Sequence, residues 1–260
     1  MSSYGLFLSA SGLTTALYRL DVAANNLANL NTVGYKPDVP LVRQRETARV
    51  EDGLGGVPSD ALLERLGGGA VLAPNRVALG QGQLEETRGP LDIGVEGEGF
   101  LVVLAPDQRG RLVPSLTRDG RLAIDAEGTL VQSSSGRPVL DQSSRPIRLD
   151  PALEVNIDSE GVIRQGDESV ARLQLARVDR ADLLTKLGDG LLSGPEALIA
   201  RRRPASGRVL QGYVERSAVD PIRASLDVSA AERAVSAGAR LISIYDELSQ
   251  RAISTFGRVA

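Results

Sequence analysis

Two pairs of carboxylates, Glu96 with Glu98 and Asp119 with Asp125, are the side chains whose spacing could supply an acid and a base. Glycoside hydrolysis needs nothing more than such a pair. Sites of that kind hold sugars on aromatic platforms, however, and aromatic residues make up only 3% of this chain, with no Trp. The stretch Gly94-Val95-Glu96-Gly97-Glu98-Gly99-Phe100 is glycine-rich but lacks the Gly-Lys-Ser/Thr ending of a phosphate loop and the third Gly of a dinucleotide fingerprint. It reads as a β-turn or bulge. With no His and no Cys, the commonest general base, the imidazole ligand and the thiolate ligand are all excluded. Lys36 and Lys186 sit in no nucleophile context, and no EF-hand pattern occurs. The expectation is no cofactor and no metal, with a glycosidase-like use of the carboxylates disfavoured by the scarcity of aromatic residues.

These residues lie in a region, 80–216, whose punctuation is that of β structure. Apolar runs at 93–95, 100–104, 122–124, 129–131, 139–140, 155–157, 162–163, 173–178 and 209–214 alternate with Gly, Pro, Asp and Ser clusters. Asp119-Gly120 and Glu127-Gly128 are turn signals. The 28 Gly and 13 Pro fit an all-β domain of short hairpins. Residues 37–79, rich in Gly, Pro and charge, read as a partly flexible connector in which only 60–66 could form a helical turn.

The two ends follow a different period. Leu6, Ala10, Leu13, Leu17, Leu20, Ala24 and Leu27 are spaced alternately four and three apart, which draws one seam along a helix. Arg19 and Asp21 are the only charges before Tyr35, so this helix is expected to be buried on several sides. Asn25, Asn26, Asn29 and Asn31 mark its end, and Gly34 supplies a turn. At the other end Ala230, Ala234, Ala237, Leu241, Ile244 and Leu248 repeat the spacing, and Pro221 suits a first helical turn. Helices over 5–30 and 222–256 would be about 40 and 50 Å long. The predicted fold is mainly β with long terminal α-helices: a discontinuous coiled-coil domain of residues 1–36 with 217–260, and an all-β middle domain.

Thirty basic against 33 acidic residues give a net charge of −3, which argues against a nucleic-acid partner. Arg201, Arg202 and Arg203 are the one tight basic run, short of the patch such binding needs, and read as a solvated loop. No apolar run approaches the length of a membrane span, so no membrane insertion is expected. Nor does a basic n-region precede the first apolar residues, so export would not use an ordinary cleaved signal.

The segment Ala24-Asn25-Asn26-Leu27-Ala28-Asn29, with Asn31-Thr32 and Gly34-Tyr35-Lys36, resembles the N-terminal signature of the bacterial flagellar rod and hook protein family. Further matches follow in the family's order: Gly82-Gln83-Leu84 with Thr87 and Pro90-Leu91-Asp92; Val95 to Phe100; Thr117-Arg118-Asp119-Gly120 with Leu122, Gly128, Leu130 and Val131; Gln211-Gly212-Tyr213-Val214-Glu215 with Ser217. Length suits a rod protein better than the longer hook protein, and Asp220-Pro221-Ile222 favours the proximal rod type over the distal. Departures are Phe100-Leu101 in place of Phe-Phe, Ala218 in place of Asn, and Arg233-Ala234-Val235 without the customary aromatic. Ser225 and Ser229 also dilute the seam of the second helix.

The resemblance implies a non-enzymatic subunit, exported unfolded through the flagellar type III apparatus. Such a subunit polymerises with itself and with other rod and hook subunits into the drive shaft between motor and hook, which locates it in the basal body. On that basis Leu13, Leu17, Leu20 and Leu27 with Leu241, Ile244 and Leu248 would carry coiled-coil and assembly contacts. Asn25, Asn26 and Asn29 would satisfy one another or neighbouring subunits. The rival expectation is a secreted carbohydrate-binding or carbohydrate-active β protein that its terminal helices merely oligomerise.

Overall fold

A computed structural model describes residues 2–46, 50, 69–107 and 109–256. It divides the chain into two compact units. One comprises Met1–Leu27, Asp38–Asn75 and Pro221–Ala260, the other Ala28–Pro37 and Arg76–Asp220.

In the first unit, helix α1 (Ser2–Ala28) includes Asn25 and Asn26 and stops just before Asn29. Strands β1 (Asp38–Gln44) and β2 (Ala70–Val77) form a two-stranded sheet. Both ends of the expected connector are therefore ordered strands, while its possible helical turn at 60–66 lies outside the described residues. The small polar residues along α1 explain why the strands settle there. Ser11 Oγ donates to Ala70 O (3.0 Å) and accepts from Ala70 N–H (2.9 Å). Two turns on, Tyr18 Oη donates to Asn75 Oδ1 at 2.5 Å. A helix nearly without charge thus has a polar face that a sheet edge satisfies.

The second unit runs through β3 (Leu84–Glu86), β4 (Ile93–Glu96), β5 (Phe100–Pro106), β6 (Leu112–Thr117), β7 (Leu122–Ile124) and β8 (Leu130–Gln132). It continues with β9 (Val155–Ile157), β10 (Val162–Gln165), β11 (Glu168–Arg172), β12 (Leu175–Arg177), β13 (Thr185–Gly188) and β14 (Leu191–Ser193). The short helix α2 (Glu196–Ala200) precedes β15 (Arg203–Pro204), β16 (Arg208–Gln211) and β17 (Tyr213–Glu215). Helix α3 (Pro221–Phe256) then returns to the first unit. A six-stranded sheet, ordered β13-β14-β6-β5-β12-β15, organises the unit. Its strand β5 is buried on both faces, which is why it reads as a continuous apolar run. Leu101, Val103 and Ala105 enter one core with Ile93, Leu130, Ile147 and Ile163. Phe100 and Val102, pointing the other way, enter a second core with Leu116, Leu140, Leu184 and Ile199.

One turn design closes four hairpins of this unit, at 107–111, 125–129, 141–145 and 158–162. In each the leading Asp donates its N–H to the carbonyl four residues on, at 2.8–3.1 Å. Its side chain accepts the N–H of that same residue, as in Asp125 Oδ1 to Thr129 (2.6 Å) and Asp158 Oδ1 to Val162 (3.0 Å). The fourth position is left-handed: Gly110, Gly128, Ser144 and Gly161 have φ of 60–78°. Asp-x-x-Gly-x is thus a complete local instruction, an Asx cap followed by a residue that tolerates positive φ.

Candidate assembly interface and its junction

The face that each terminal helix presents within the first unit differs from the expected one. Along α3 the less exposed positions are Ala224, Val228, Ala231, Val235, Gly238, Ile242, Tyr245 and Ser249, an alternation of four and three, with Ser229 beside Val228. They lie one position round the helix from the anticipated stripe. Leu241, Ile244 and Leu248 of that stripe instead stand 49%, 52% and 55% exposed. The reason is side-chain size. A Cβ placed on Gly238 would meet Leu13 Cβ at 3.3 Å, and one placed on Gly5 would meet the Tyr245 ring at under 3 Å. The two approaches pair an early residue of α1 with a late residue of α3, so the helices run antiparallel, as close as their small residues permit. Where two heptad stripes lie side by side on one helix, spacing alone does not say which faces inward.

On α1, Leu13, Leu20 and Leu27 are half-buried and Ala16 and Ala23 buried, whereas Leu17 is 44% exposed. The structure therefore brings Leu13 to α3 through Gly238, while Leu241, Ile244 and Leu248 stay about half exposed. A groove of about 860 Å³ remains within this unit, bordered by α1, β1 and α3, with Ala230, Ala234, Ala237 and Leu241 on one wall.

The Asn residues likewise find local work. Asn26 closes a two-way bond with the Asp38 backbone, donating Nδ2 to its carbonyl (2.8 Å) and accepting its N–H at Oδ1 (2.9 Å). Asn29 Oδ1 accepts from the Thr32 hydroxyl at 3.0 Å. Asn25 is exposed. Asn26 and Asn29 thus bond to nearby chain, where a helix end leaves backbone groups unsatisfied.

Several motif residues converge on one point of the second unit. Glu215, wholly buried at the end of β17, accepts at Oε1 from Lys36 Nζ and from the Gly82 N–H (2.7 Å), and at Oε2 from Arg118 Nη1 (2.8 Å). Lys36, 3% exposed, also donates to Gly80 O (2.7 Å). Arg118, 6% exposed, donates to Val95 O (3.0 Å) and Gly97 O (2.6 Å) and lies over the Phe100 ring. Gly34, at φ 68°, leaves no room for a side chain, since a Cβ there would come within 2.4 Å of the Arg118–Asp119 peptide. Burial pulls the Lys36 amine below the ordinary lysine value, against the pull of the Glu215 carboxylate, with Arg118 adding to the depression. Sequence reasoning missed this trio. Its members stand far apart in the chain, and the one signal was that Gly-Tyr-Lys, Thr-Arg-Asp-Gly and Tyr-Val-Glu all belong to the matched motifs.

Of the carboxylates considered for acid–base chemistry, Glu96 and Glu98 are exposed, whereas Asp119 and Asp125 are engaged elsewhere. Asp119 is buried and held by Arg121 (2.7 Å) and the Ser134 hydroxyl (2.9 Å), and Asp125 caps its own turn. Among the described residues no helix is long and apolar enough to cross a membrane.

Comparison with known proteins agrees with this distribution of motifs. A family model described as flagella basal body rod protein matches residues 8–36, from the second turn of α1 through Lys36. One described as flagellar hook protein FlgE/F/G D1 domain matches 94–165, and one described as flagellar basal body rod FlgEFG protein C-terminal matches 210–255. The chain is 30% identical to flagellar basal-body rod protein FlgF of Caulobacter vibrioides, over 98% of each chain. It is 27% identical to flagellar basal-body rod protein FlgG of the same organism, over 93% of this chain and 95% of the relative. With the FlgG of Borreliella burgdorferi the identity is 28%, over 94% and 95%. The chain belongs to the flagellar basal-body rod protein family.

Proposed function

We propose that this chain is a structural subunit of the bacterial flagellar basal-body rod, polymerising into the axial shaft between motor and hook. The observation that carries it is the apolar stripe of Leu241, Ile244 and Leu248, which its own chain leaves half exposed on a helix the family model matches. Leu17 and the walls of the neighbouring groove extend that surface on α1. A heterologous contact that does not close produces an open filament, and such stripes supply one. Leu13, Leu20 and Leu27 act from within, setting the helix pair that displays them, and Asn25, Asn26 and Asn29 shape the end of α1. In this role the terminal helices, 1–36 with 217–260, form the coiled-coil assembly domain, and residues 80–216 the outer β domain.

The partners are other rod and hook subunits, and the location is the basal body. Delivery is by the flagellar type III export apparatus, in an unfolded state. The Asp220-Pro221-Ile222 start of α3 supports the proximal rod type. Counting copies of the chain in purified basal bodies tests the proposal: a fixed stoichiometry of several copies per basal body supports a rod subunit, and its absence from basal bodies refutes it. Circular dichroism of dilute monomer adds a second check, since helices whose outer stripe lacks a partner should be less helical before assembly than after. Equal helix content in both forms would contradict that expectation.

A further inference from the structure

Glu215 gathers residues from three segments that lead towards the first unit. Lys36 precedes the passage at Pro37, Gly80 and Gly82 follow the one at Arg76, and Glu215 itself precedes the one at Asp220. Backbone bonds knit two of the segments together, from Gly34 N–H to Glu215 O (2.6 Å) and from Ala218 N–H to Tyr35 O (3.0 Å).

The charge arithmetic within this cluster is unequal: two buried cations share one buried carboxylate. A buried cation without its partner is strongly unfavourable, whereas a carboxylate that keeps one of two cations remains paired. Glu215 lies 179 residues from Lys36 and 97 from Arg118, so both cations wait on a segment that follows them far along the chain. The excess of cations also shows in Arg118 Nε, which is buried without a hydrogen-bond partner.

We propose that Glu215 is a folding-order latch. The segment 29–37 docks on the β unit only when β17 delivers the carboxylate, so the passage out of α1 is fixed after the β core and together with the approach to α3. This inference stands independently of the rod assignment. It makes Glu215 the one residue of the trio whose loss opens both passages, while loss of Lys36 leaves the Glu215–Arg118 pair and the two backbone bonds in place.

Hydrogen exchange read by mass spectrometry on the full chain tests the latch. In Glu215→Gln, peptides covering 29–37 and 216–220 should exchange roughly a hundredfold faster, or more, with those covering β5 and β6 unchanged. Lys36→Met should leave residues 216–220 protected. Pulse-labelled refolding of the unaltered chain, which needs no variant to fold, should show 29–37 and 213–218 gaining protection in one phase, after 100–117. Protection of 29–37 ahead of 213–218, unchanged exchange at 29–37 in Glu215→Gln, or loss of β5 and β6 protection in that variant would each overturn the proposal.

Discussion

Replacing Leu241, Ile244 and Leu248 together by Gln separates assembly from folding. Each side chain is about half exposed in the single chain, so about half of its burial remains to be gained from a neighbour. Full burial of such a side chain is worth about 1.5–3 kcal/mol, which leaves about 1 kcal/mol each and about 3 kcal/mol for the three. That sum corresponds to roughly a hundredfold in the affinity of one subunit contact. Gln forms helix nearly as well as Leu and keeps the inner methylenes, so the single chain should lose no more than about 1 kcal/mol. The assay pairs urea unfolding of the purified chain with its quantity in basal bodies from a strain expressing only the variant. The expected result is a nearly unchanged unfolding midpoint with incorporation and motility lost. Incorporation at the unaltered level would refute the assignment of this stripe to assembly, and a collapse of the midpoint would show that it faces inward after all.

Three further changes probe other parts of the fold. Gly238→Leu, on the inner stripe, should destabilise the helical unit by about 1–3 kcal/mol through overpacking against Leu13 and lower the helical signal in circular dichroism. Asp158→Ala removes the acceptor for the Glu160 and Val162 N–H groups and should cost about 1 kcal/mol in urea unfolding, the β unit remaining folded. The depressed Lys36 amine gives a signed pH effect: the unfolded chain holds this proton more tightly than the folded one. Between the folded Lys36 value and the ordinary lysine value, stability should therefore rise with pH, and the penalty is present in full below that window. Comparing the alkaline stability profile with that of Lys36→Met measures it, and identical slopes in that window would contradict the predicted effect.

Much of the architecture was legible because its signals are local. Pro221 begins α3, α1 ends at the Asn cluster, and the β runs carry their own turns. Three things were not legible, each for a physical reason. The inward face of α3 depends on how closely two helices approach, and that is set by Gly238 and Gly5 rather than by the larger apolar residues. Residues 38–44 and 70–77 are paired strands although Gly, Pro and charge dominate the sequence between them, because their hydrogen bonds are completed by Ser11 and Tyr18 on a distant helix. The Lys36–Glu215–Arg118 cluster is a contact between segments that no window of sequence contains.

The repeated Asp-x-x-Gly-x turns have a consequence for how such a β unit can vary. Each closes through bonds between its own first and last residues, so in the turns at 125–129, 141–145 and 158–162 the second and third positions contribute only their backbone to closure. The tips at 125–129 and 141–145 are interchangeable cassettes, where new side chains can be displayed or loops grafted, whereas at 158–162 Glu160 also pairs with Arg172 of β11 (3.1 Å). Such turns can thus change without reaching the cores on either side of β5.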